Sequence, residues 1–289
     1  KRLAAGSEIT GMPTGFTDYD RKTTGLQPGE LTIIAARPSM GKSAFAMQTA
    51  YSVAKQGKQV ICCSLEMPAE DLNDRQLSAI SGVPMERIRS PKQLSEDDYS
   101  RLTLAISEVS ELPLSIVDDA GVTMRSIKSK ARRIHRKNPV GLIVVDYLQQ
   151  VVADDTRKRR DEQLSAMTTG LKKLARELKC PVICLSQLNR QVEQRDDKRP
   201  RMSDLRESGG IEQDADVIAF LYRDEVYQDN SPHAGVAELI ISKQRNGPTG
   251  SIDLAWDPER VRFNNYSGPS KAEREPKNGG GLKNRREPL

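Results

Sequence analysis

Short apolar runs alternate with longer segments in which apolar residues recur every three or four positions along the first two-thirds of the chain. The short runs predict strands that are buried on both faces, and the longer segments predict helices. The predicted strands cover residues 31–35, 59–65, 114–117, 141–146 and 181–186. Strand–helix alternation of this kind is typical of an α/β fold with a doubly wound, mostly parallel sheet.

The helical segments and the last third of the chain complete this pattern. One helix is predicted after the first strand, ending at about residue 55, and others over 123–137 and over 162–179, with two or three more between 68 and 110. Beyond Asp216, short apolar runs separated by turns predict antiparallel strands that extend the sheet. We expect one domain over residues 11–267, the end of a linker over 1–10 and a disordered tail over 268–289.

The first predicted strand leads into a phosphate-binding loop. The order is strand, loop and alanine-rich helix, and the loop ends in Gly41, Lys42 and Ser43. Backbone N–H groups and the helix dipole bind phosphate oxygens in such a loop, the lysine reaches the β- and γ-phosphates, and the serine hydroxyl coordinates Mg²⁺. Ala36 replaces the first glycine of the usual pattern, which a negative φ would accommodate. The predicted nucleotide contacts are Ser39, Met40, Gly41, Lys42, Ser43 and Ala44.

Hydrolysis of ATP also requires a carboxylate for the metal ion and a group that activates water. Two predicted strands end in aspartate, one at Asp118 and Asp119 and the other at Asp146. The longer apolar run before Asp146 indicates a more central strand and favours it, whereas Asp118 also suits a helix cap. Glu66 and Gln187 follow other strand ends, where they suit water activation and γ-phosphate sensing, or equally a turn.

Two cations come at the end of a predicted strand in the last third of the chain. Residues two apart in a strand share a face, so the pattern places Lys243 and Arg245 on the same face as Leu239 and Ile241. A pair of cations just before a turn suits an arginine finger that reaches the nucleotide of a neighbouring subunit. A solvated strand end is the alternative interpretation.

The charge of the chain suits a polyanionic partner. The formal net charge is +5 over 289 residues, and aromatic residues make up only 4%. If the partner is a nucleic acid, we therefore expect contacts to its backbone phosphates rather than extensive stacking on its bases. Residues 157–160 are all basic, and residues 206–210 combine Arg206 with exposed backbone N–H groups. Loops of this kind are more often simply solvated, so alone they leave nucleic-acid binding open.

Cysteine placement and the lack of long apolar runs indicate a cytoplasmic protein. The four cysteines lie in apolar runs without metal-ligand spacing, as expected for buried thiols in a reducing compartment. No apolar run approaches the length of a membrane span, and no signal peptide is visible. Because the chain begins with Lys1 rather than methionine, we expect that an N-terminal part is missing.

Together these motifs resemble one family. The strings GMPTGFTDYD, ARPSMGKS, SLEMP, VVDYLQ, SQLNR, SDLRESGGIEQDAD, YRDEVY and SKQRNGP occur in the order found in the C-terminal ATPase domain of DnaB-family replicative DNA helicases. The resemblance covers about residues 11–266. It implies a RecA-like core that assembles as a homo-hexameric ring around single-stranded DNA, binds ATP and Mg²⁺ at subunit interfaces and unwinds duplex DNA. A helicase loader and a primase are the further partners that it implies.

The resemblance also assigns roles to residues whose motifs match. Lys42 binds phosphates, Glu66 is the catalytic carboxylate, Gln187 senses the γ-phosphate, and two cations are supplied in trans. In full, the implied catalytic residues are Lys42, Glu66, Gln187, Lys243 and Arg245, the metal ligands are Ser43 and Asp146, and the DNA contacts are Arg206, Glu207 and Gly209. The motif match does not extend to residues 157–160, so their contact with DNA stays a hypothesis.

Other functions remain open at this point. A RecA-like recombination ATPase shares the core but forms filaments rather than closed rings. A small-molecule kinase uses the same phosphate loop, although the sequence offers no recognisable acceptor site. A ring component that only scaffolds a loader or primase is the non-enzymatic alternative.

Overall fold

The computed structural model describes residues 9–119, 121–152, 157–205, 209–269 and 271–274. The strands of these residues are β1 (Leu31–Ala36), β2 (Gln59–Ser64), β3 (Leu114–Val117), β4 (Val140–Asp146), β5 (Val182–Gln187), β6 (Val217–Tyr222), β7 (Val236–Gln244), β8 (Gly250–Asp257) and β9 (Arg262–Asn265). The α-helices are α1 (Thr17–Thr23), α2 (Lys42–Lys55), α3 (Ala69–Ser81), α4 (Met85–Arg89), α5 (Glu96–Ser110), α6 (Met124–Lys137), α7 (Arg160–Leu178), α8 (Gly209–Asp214) and α9 (Lys271–Arg274).

The strands form one mixed sheet, which within the described residues has nine strands in the order β3-β2-β4-β5-β1-β6-β7-β8-β9. The strands from β3 to β6 in this order run parallel, and β7, β8 and β9 continue the sheet in antiparallel fashion. This confirms the predicted fold class. The three helices between residues 69 and 110 and the helices α2, α6 and α7 also agree with the predictions.

Helices cover both faces of the parallel part of the sheet. One core cluster joins α2 to alternate strand residues such as Ile34, and the other joins α6 and α7 to the alternate set, which includes Ile33. Every residue of β1 is therefore buried, and the same holds for β2, β4 and β6. Burial on both faces explains why these strands appear in the sequence as continuous apolar runs.

Three short helices of the described residues, α1, α8 and α9, lie where no helix is expected from the sequence. The segment before β1 contains α1, in which the carboxylate of Asp20 accepts hydrogen bonds from the N–H and hydroxyl groups of Thr14 at 2.8–3.0 Å. Gly209, expected in a DNA-binding loop, is the first residue of α8. Within the expected tail, Arg274 of α9 bonds to Asp253 at 2.7 Å.

Some sequence-based expectations fall on parts of the chain that the structure does not describe. Arg206 and Glu207 lie outside the described residues, as do residues 1–8, 153–156, 270 and 275–289. All four cysteines are buried free thiols. None of the helices in the described part of the chain is long and apolar enough to cross a membrane.

Candidate active site

The phosphate loop connects β1 to α2 at the carboxyl edge of the parallel strands. Ala36 is the last residue of β1, and its methyl group is fully buried in extended backbone, so the missing glycine is accommodated as expected. Gly41 has a φ of 98°, and a Cβ built on it would lie 2.6 Å from Cζ of Phe263. Both its conformation and its close approach to a buried ring therefore require glycine. Ser39 also has a positive φ, 66°.

An open cleft of about 580 Å³ lies next to this loop. Most of the predicted nucleotide contacts line it, namely Ser39, Gly41, Lys42, Ser43 and Ala44, and Glu66 lines it as well. Met40 differs, because its side chain is 1% exposed and packs in the core, which leaves its backbone as the group that can contact a nucleotide. The further lining residues, which the sequence analysis did not predict, include Arg75, Arg89 and Trp256.

The floor of the cleft combines a lysine and a carboxylate that are both poorly solvated. The side chain of Ser43 lies beside Asp146, which is 3% exposed at the end of β4. Burial raises the pKa of Asp146, and the nearby charge of Glu66 adds to this, although Ser43 and Lys42 act in the opposite direction. Burial likewise lowers the pKa of Lys42, despite its attraction to Asp146 and Glu66. Both charged forms are thus penalised without a ligand.

These donors fit a magnesium ion bound together with a nucleotide. The second oxygen of Asp146, Oδ1, is buried and has no hydrogen-bond partner among the described residues. A carboxylate and a hydroxyl are the hard oxygen ligands that Mg²⁺ takes, with phosphate and water completing its shell. The described residues contain no group of three or more His, Cys, Asp and Glu side chains that could hold a metal ion alone. The ion would therefore depend on the nucleotide.

The competing aspartates lie elsewhere and have other partners. They follow β3, an edge strand of the sheet as described, whereas Asp146 follows a strand with neighbours on both sides. Asp118 accepts a hydrogen bond from the first N–H of α3, that of Ala69, at 2.9 Å. Asp119 forms an ion pair with Lys130. The geometry therefore favours Asp146 over these two aspartates, and its role as the metal ligand stays a prediction.

Gln187 lies beside the phosphate loop but not in its cleft. It is the last residue of β5 and is in register with Ala36, the last residue of β1. Its backbone N–H donates to Oε1 of Gln149 at 3.3 Å, and its carbonyl accepts from Nε2 of the same side chain at 3.2 Å. Gln187 lines a separate cavity of about 180 Å³. Its role as a γ-phosphate sensor stays a prediction.

Lys243 and Arg245 lie at the opposite, amino edge of the parallel strands. The antiparallel pairing of β7 with β6 places Gln244 opposite Val217, the first residue of β6. Asp216, just before it, bonds to Leu31, the first residue of β1. From there to the phosphate loop at the end of β1 the strand runs about 16 Å. The cations are therefore separated from their own cleft by the length of the strand.

The prediction that these cations share a face with Leu239 and Ile241 is wrong for Lys243. Ile241 is opposite Ala219, but Lys243 is opposite Ile218, so the register shifts by one residue at Ser242. A β-bulge of this kind reverses the alternation of side chains. Lys243 therefore lies on the sheet face that α8 covers, away from the face of Leu239 and Ile241.

Backbone carbonyls at the end of α8 bind both cations. Nζ of Lys243 donates to the carbonyls of Glu212 and, at 2.8 Å, Ala215. The guanidinium of Arg245 donates to the carbonyl of Gln213. The carboxyl end of a helix attracts cations, so α8 holds the two side chains together. Burial lowers the pKa of Lys243, and the adjacent charge of Arg245 adds to the effect.

Arg223 supports the phosphate loop from outside the cleft, and the sequence analysis assigned it no role. Its guanidinium lies 4.3 Å above the ring centroid of Trp256 and donates to the Ser39 carbonyl at 3.1 Å. Glu225 holds it through bonds of 2.9 and 2.6 Å. The string YRDEVY contains Arg223 and Glu225, but nothing in it indicates that this part of the chain contacts the phosphate loop.

Known proteins share this architecture. The chain is 48% identical over 270 residues to replicative DNA helicase DnaB of Buchnera aphidicola subsp. Schizaphis graminum, covering 92% of this chain and 58% of that protein. It is 47% identical to the DnaB of Geobacillus stearothermophilus, with 89% and 57% covered. The chain thus spans slightly more than half the length of these curated relatives.

A solved structure and a family profile agree with these relatives. The structure of a DnaB-like replicative helicase, solved to describe its interactions with primase, superposes with a TM-score of 0.89 at 42% identity, over 92% of this chain and 64% of that one. The profile of the DnaB-like helicase C terminal domain matches residues 11–265. This chain therefore belongs to the family of DnaB-like helicase C-terminal domains.

Proposed function

We propose that the chain is the motor of an ATP-dependent replicative DNA helicase, which forms a hexameric ring and translocates on single-stranded DNA. The observation that carries the proposal is the separation of the cleft from Arg245 by the length of β1, about 16 Å. One subunit cannot close its own site with this cation, whereas a ring brings the amino edge of each subunit to the cleft of the next. Membership of the family supports the same assembly.

The residues of the cleft would divide the chemistry among themselves. Lys42 and the N–H groups of the loop bind the phosphates, and Ser43 and Asp146 hold Mg²⁺, which neutralises developing charge on the phosphates. Glu66, exposed at the mouth of the cleft, would orient and deprotonate the attacking water. Arg245 and Lys243 of the neighbouring subunit would stabilise the transition state, and Gln187 would report the γ-phosphate to the adjoining loop.

DNA would contact the segment that leads into α8. Arg206, Glu207 and Gly209 are the proposed contacts to the DNA backbone, by resemblance to the family. Gly209 starts α8, and α8 holds the trans-acting cations at its other end. The contacts of residues 157–160 with DNA remain a hypothesis. Primase is a proposed partner because the related DnaB-like helicase interacts with primase, and a helicase loader is proposed on resemblance alone.

The proposal is tested by measuring ATP hydrolysis with and without single-stranded DNA over a range of protein concentrations. We expect strong stimulation by DNA and a cooperative rise with concentration, because the active site forms between subunits. The Lys42→Ala variant is the control and should abolish turnover. Hydrolysis that ignores both DNA and concentration would contradict the proposal, and open filaments in electron micrographs would favour the recombination ATPase instead.

A further inference from the structure

The buried carboxylate of Asp216 lies next to the exposed guanidinium of Arg245 at the amino edge of the parallel strands. Asp216 is 5% exposed, and its Oδ2 accepts hydrogen bonds from the N–H of Leu31 at 2.8 Å and from Nζ of Lys172 at 2.5 Å. Its Oδ1 faces Arg245, 3.4 Å from one terminal guanidinium nitrogen. One side chain therefore connects the start of β1, the helix α7 and the proposed trans-acting arginine.

The backbone strengthens this connection. The N–H of Arg245 donates to the carbonyl of Asp216 at 2.9 Å, so the two residues are fixed next to each other before their side chains interact. Lys172 also donates to the carbonyl of Gly29 at 2.7 Å and is itself mostly buried. The carboxylate is thus held in place by groups that belong to the rigid core, whereas the side chain of Arg245 is 41% exposed.

We propose that Asp216 is a positioning residue for Arg245. An exposed arginine samples many rotamers and loses this freedom when it binds, so a fixed carboxylate beside it reduces the entropy lost on engagement. Because Lys172 already neutralises much of the charge of Asp216, this carboxylate competes only weakly with a phosphate for the guanidinium of Arg245. This inference rests on the proposed function, in which Arg245 completes the site of a neighbouring subunit.

The first experiment replaces the carboxylate by its neutral isostere. In the assembled protein with single-stranded DNA, Asp216→Asn should lower kcat for ATP by up to about a hundred-fold, the scale of a misplaced catalytic group. KM for ATP should change little, because the cleft that binds the nucleotide is unaltered. Glu238→Gln is the matched control: it removes a buried carboxylate that pairs with Arg199 at the other end of β7, and it should leave kcat unchanged.

A second variant separates positioning from folding. Asp216→Asn leaves Lys172 buried without its counter-charge, which destabilises the fold. The double variant Lys172→Met/Asp216→Asn removes both buried charges, so we expect it to fold cooperatively by circular dichroism and to have an equally low kcat. A folded double variant with the kcat of the parent protein would overturn the inference.

Mixed rings test whether Asp216 acts in trans. Subunits with Asp216→Asn keep an intact cleft, and subunits with Lys42→Ala keep an intact Arg245, so we expect mixtures to exceed the summed activities of the two. A mixture that only reaches the sum would overturn the inference, since it would mean that Asp216 acts on its own cleft through β1.

Arg245→Ala distinguishes failure of the proposed function from failure of this inference. If it retains full turnover, the proposed function fails; if it is inactive while Asp216→Asn is active, only the inference fails.

Discussion

The charged groups at the two edges of the parallel sheet differ in the partners that they have within the chain. At the carboxyl edge, Lys42 and Asp146 are poorly solvated, their pKa values are displaced toward the neutral forms, and Oδ1 of Asp146 has no hydrogen-bond partner among the described residues. At the amino edge, Lys243 and Arg245 are bonded to helix carbonyls, and Asp216 has its own ion pair with Lys172.

The cleft at the carboxyl edge therefore contains charged groups with few partners, whereas the charged groups at the amino edge are bonded to each other and to backbone carbonyls. Under the proposed function, binding of Mg²⁺ and phosphate would relieve the unsatisfied buried charge at the carboxyl edge, and part of the binding free energy would offset this penalty in the free protein. At the amino edge, burial and the charge of Arg245 also lower the pKa of Lys243, but carbonyl and carboxylate partners for both cations are present in the same chain. Under the proposed function, the amino edge would present a cation in a fixed geometry to another subunit.

The strongest test of the comparison is Arg245→Ala. Loss of an arginine finger costs about a thousand-fold or more in turnover, so DNA-stimulated ATP hydrolysis should nearly vanish while binding of ATP persists. Arg132→Ala is the matched control, because Arg132 is similarly exposed and pairs with Glu177 on the surface. Mixtures with Lys42→Ala subunits should regain turnover, as each variant supplies what the other lacks. Mixtures that stay inactive would contradict a site divided between the two edges.

The phosphate loop itself is tested by Gly41→Ala. The left-handed backbone costs an alanine about 1–2 kcal/mol, and overpacking against the buried ring of Phe263 adds about 1–3 kcal/mol. Gly57→Ala is the control, since Gly57 has a φ of 73° but no described atom within 4 Å of the added Cβ. Denaturant titration should show the backbone cost in both variants and the packing cost in Gly41→Ala alone. Equal losses would show that Phe263 does not restrict the loop.

A smaller effect is expected from Arg223→Ala. The variant removes the donor that holds the Ser39 carbonyl, so the loop loses support at a residue with positive φ. We expect affinity for an ATP analogue, measured by titration calorimetry, to fall about tenfold, which corresponds to about 1.4 kcal/mol. Arg195→Ala is the matched control, because Arg195 likewise bonds to a carboxylate, Asp204, and to a carbonyl, that of Arg199, but not to the phosphate loop. Unchanged affinity would restrict Arg223 to a packing role.

Much of the fold follows from the sequence because both faces of the sheet are covered. Strands β1, β2 and β4 are continuous apolar runs, and the helices between them keep clear helical periods, so the elements and their order are predictable. The short helices α1 and α8 lack that signal. They depend on tertiary contacts, such as the bonds of Asp20 to Thr14 and the packing of Ile211 in the core.

The candidate site was predictable where one motif carries it. Lys42 and Ser43 follow from local spacing, and Asp146 follows from the length of its strand. The bulge at Ser242, which moves Lys243 to the other face, has no signal in a strand of ordinary alternation. The roles of Arg223 and Asp216 arise from contacts with residues more than 150 positions away, Ser39 and Leu31, so spacing along the chain could not indicate them.

The smallest predicted effect concerns the penalty stored at Asp146. Because burial raises its pKa in the folded state above the unfolded value, the ionised carboxylate destabilises the folded protein at neutral pH. Asp146→Asn should therefore raise the stability of the nucleotide-free protein by about 0.5–2 kcal/mol, or about 2–4 °C in Tm per kcal/mol, while abolishing hydrolysis. The difference in Tm should shrink as pH falls through the folded-state pKa, since the folded protein then takes up the proton.

With Mg²⁺ and an ATP analogue present, we expect the parent protein to be more stable than Asp146→Asn, because the intact carboxylate gains its ligand. A variant less stable than the parent protein without nucleotide would show that Asp146 is already satisfied by Ser43 and Lys42, and the contrast between the two edges would fail at its central residue.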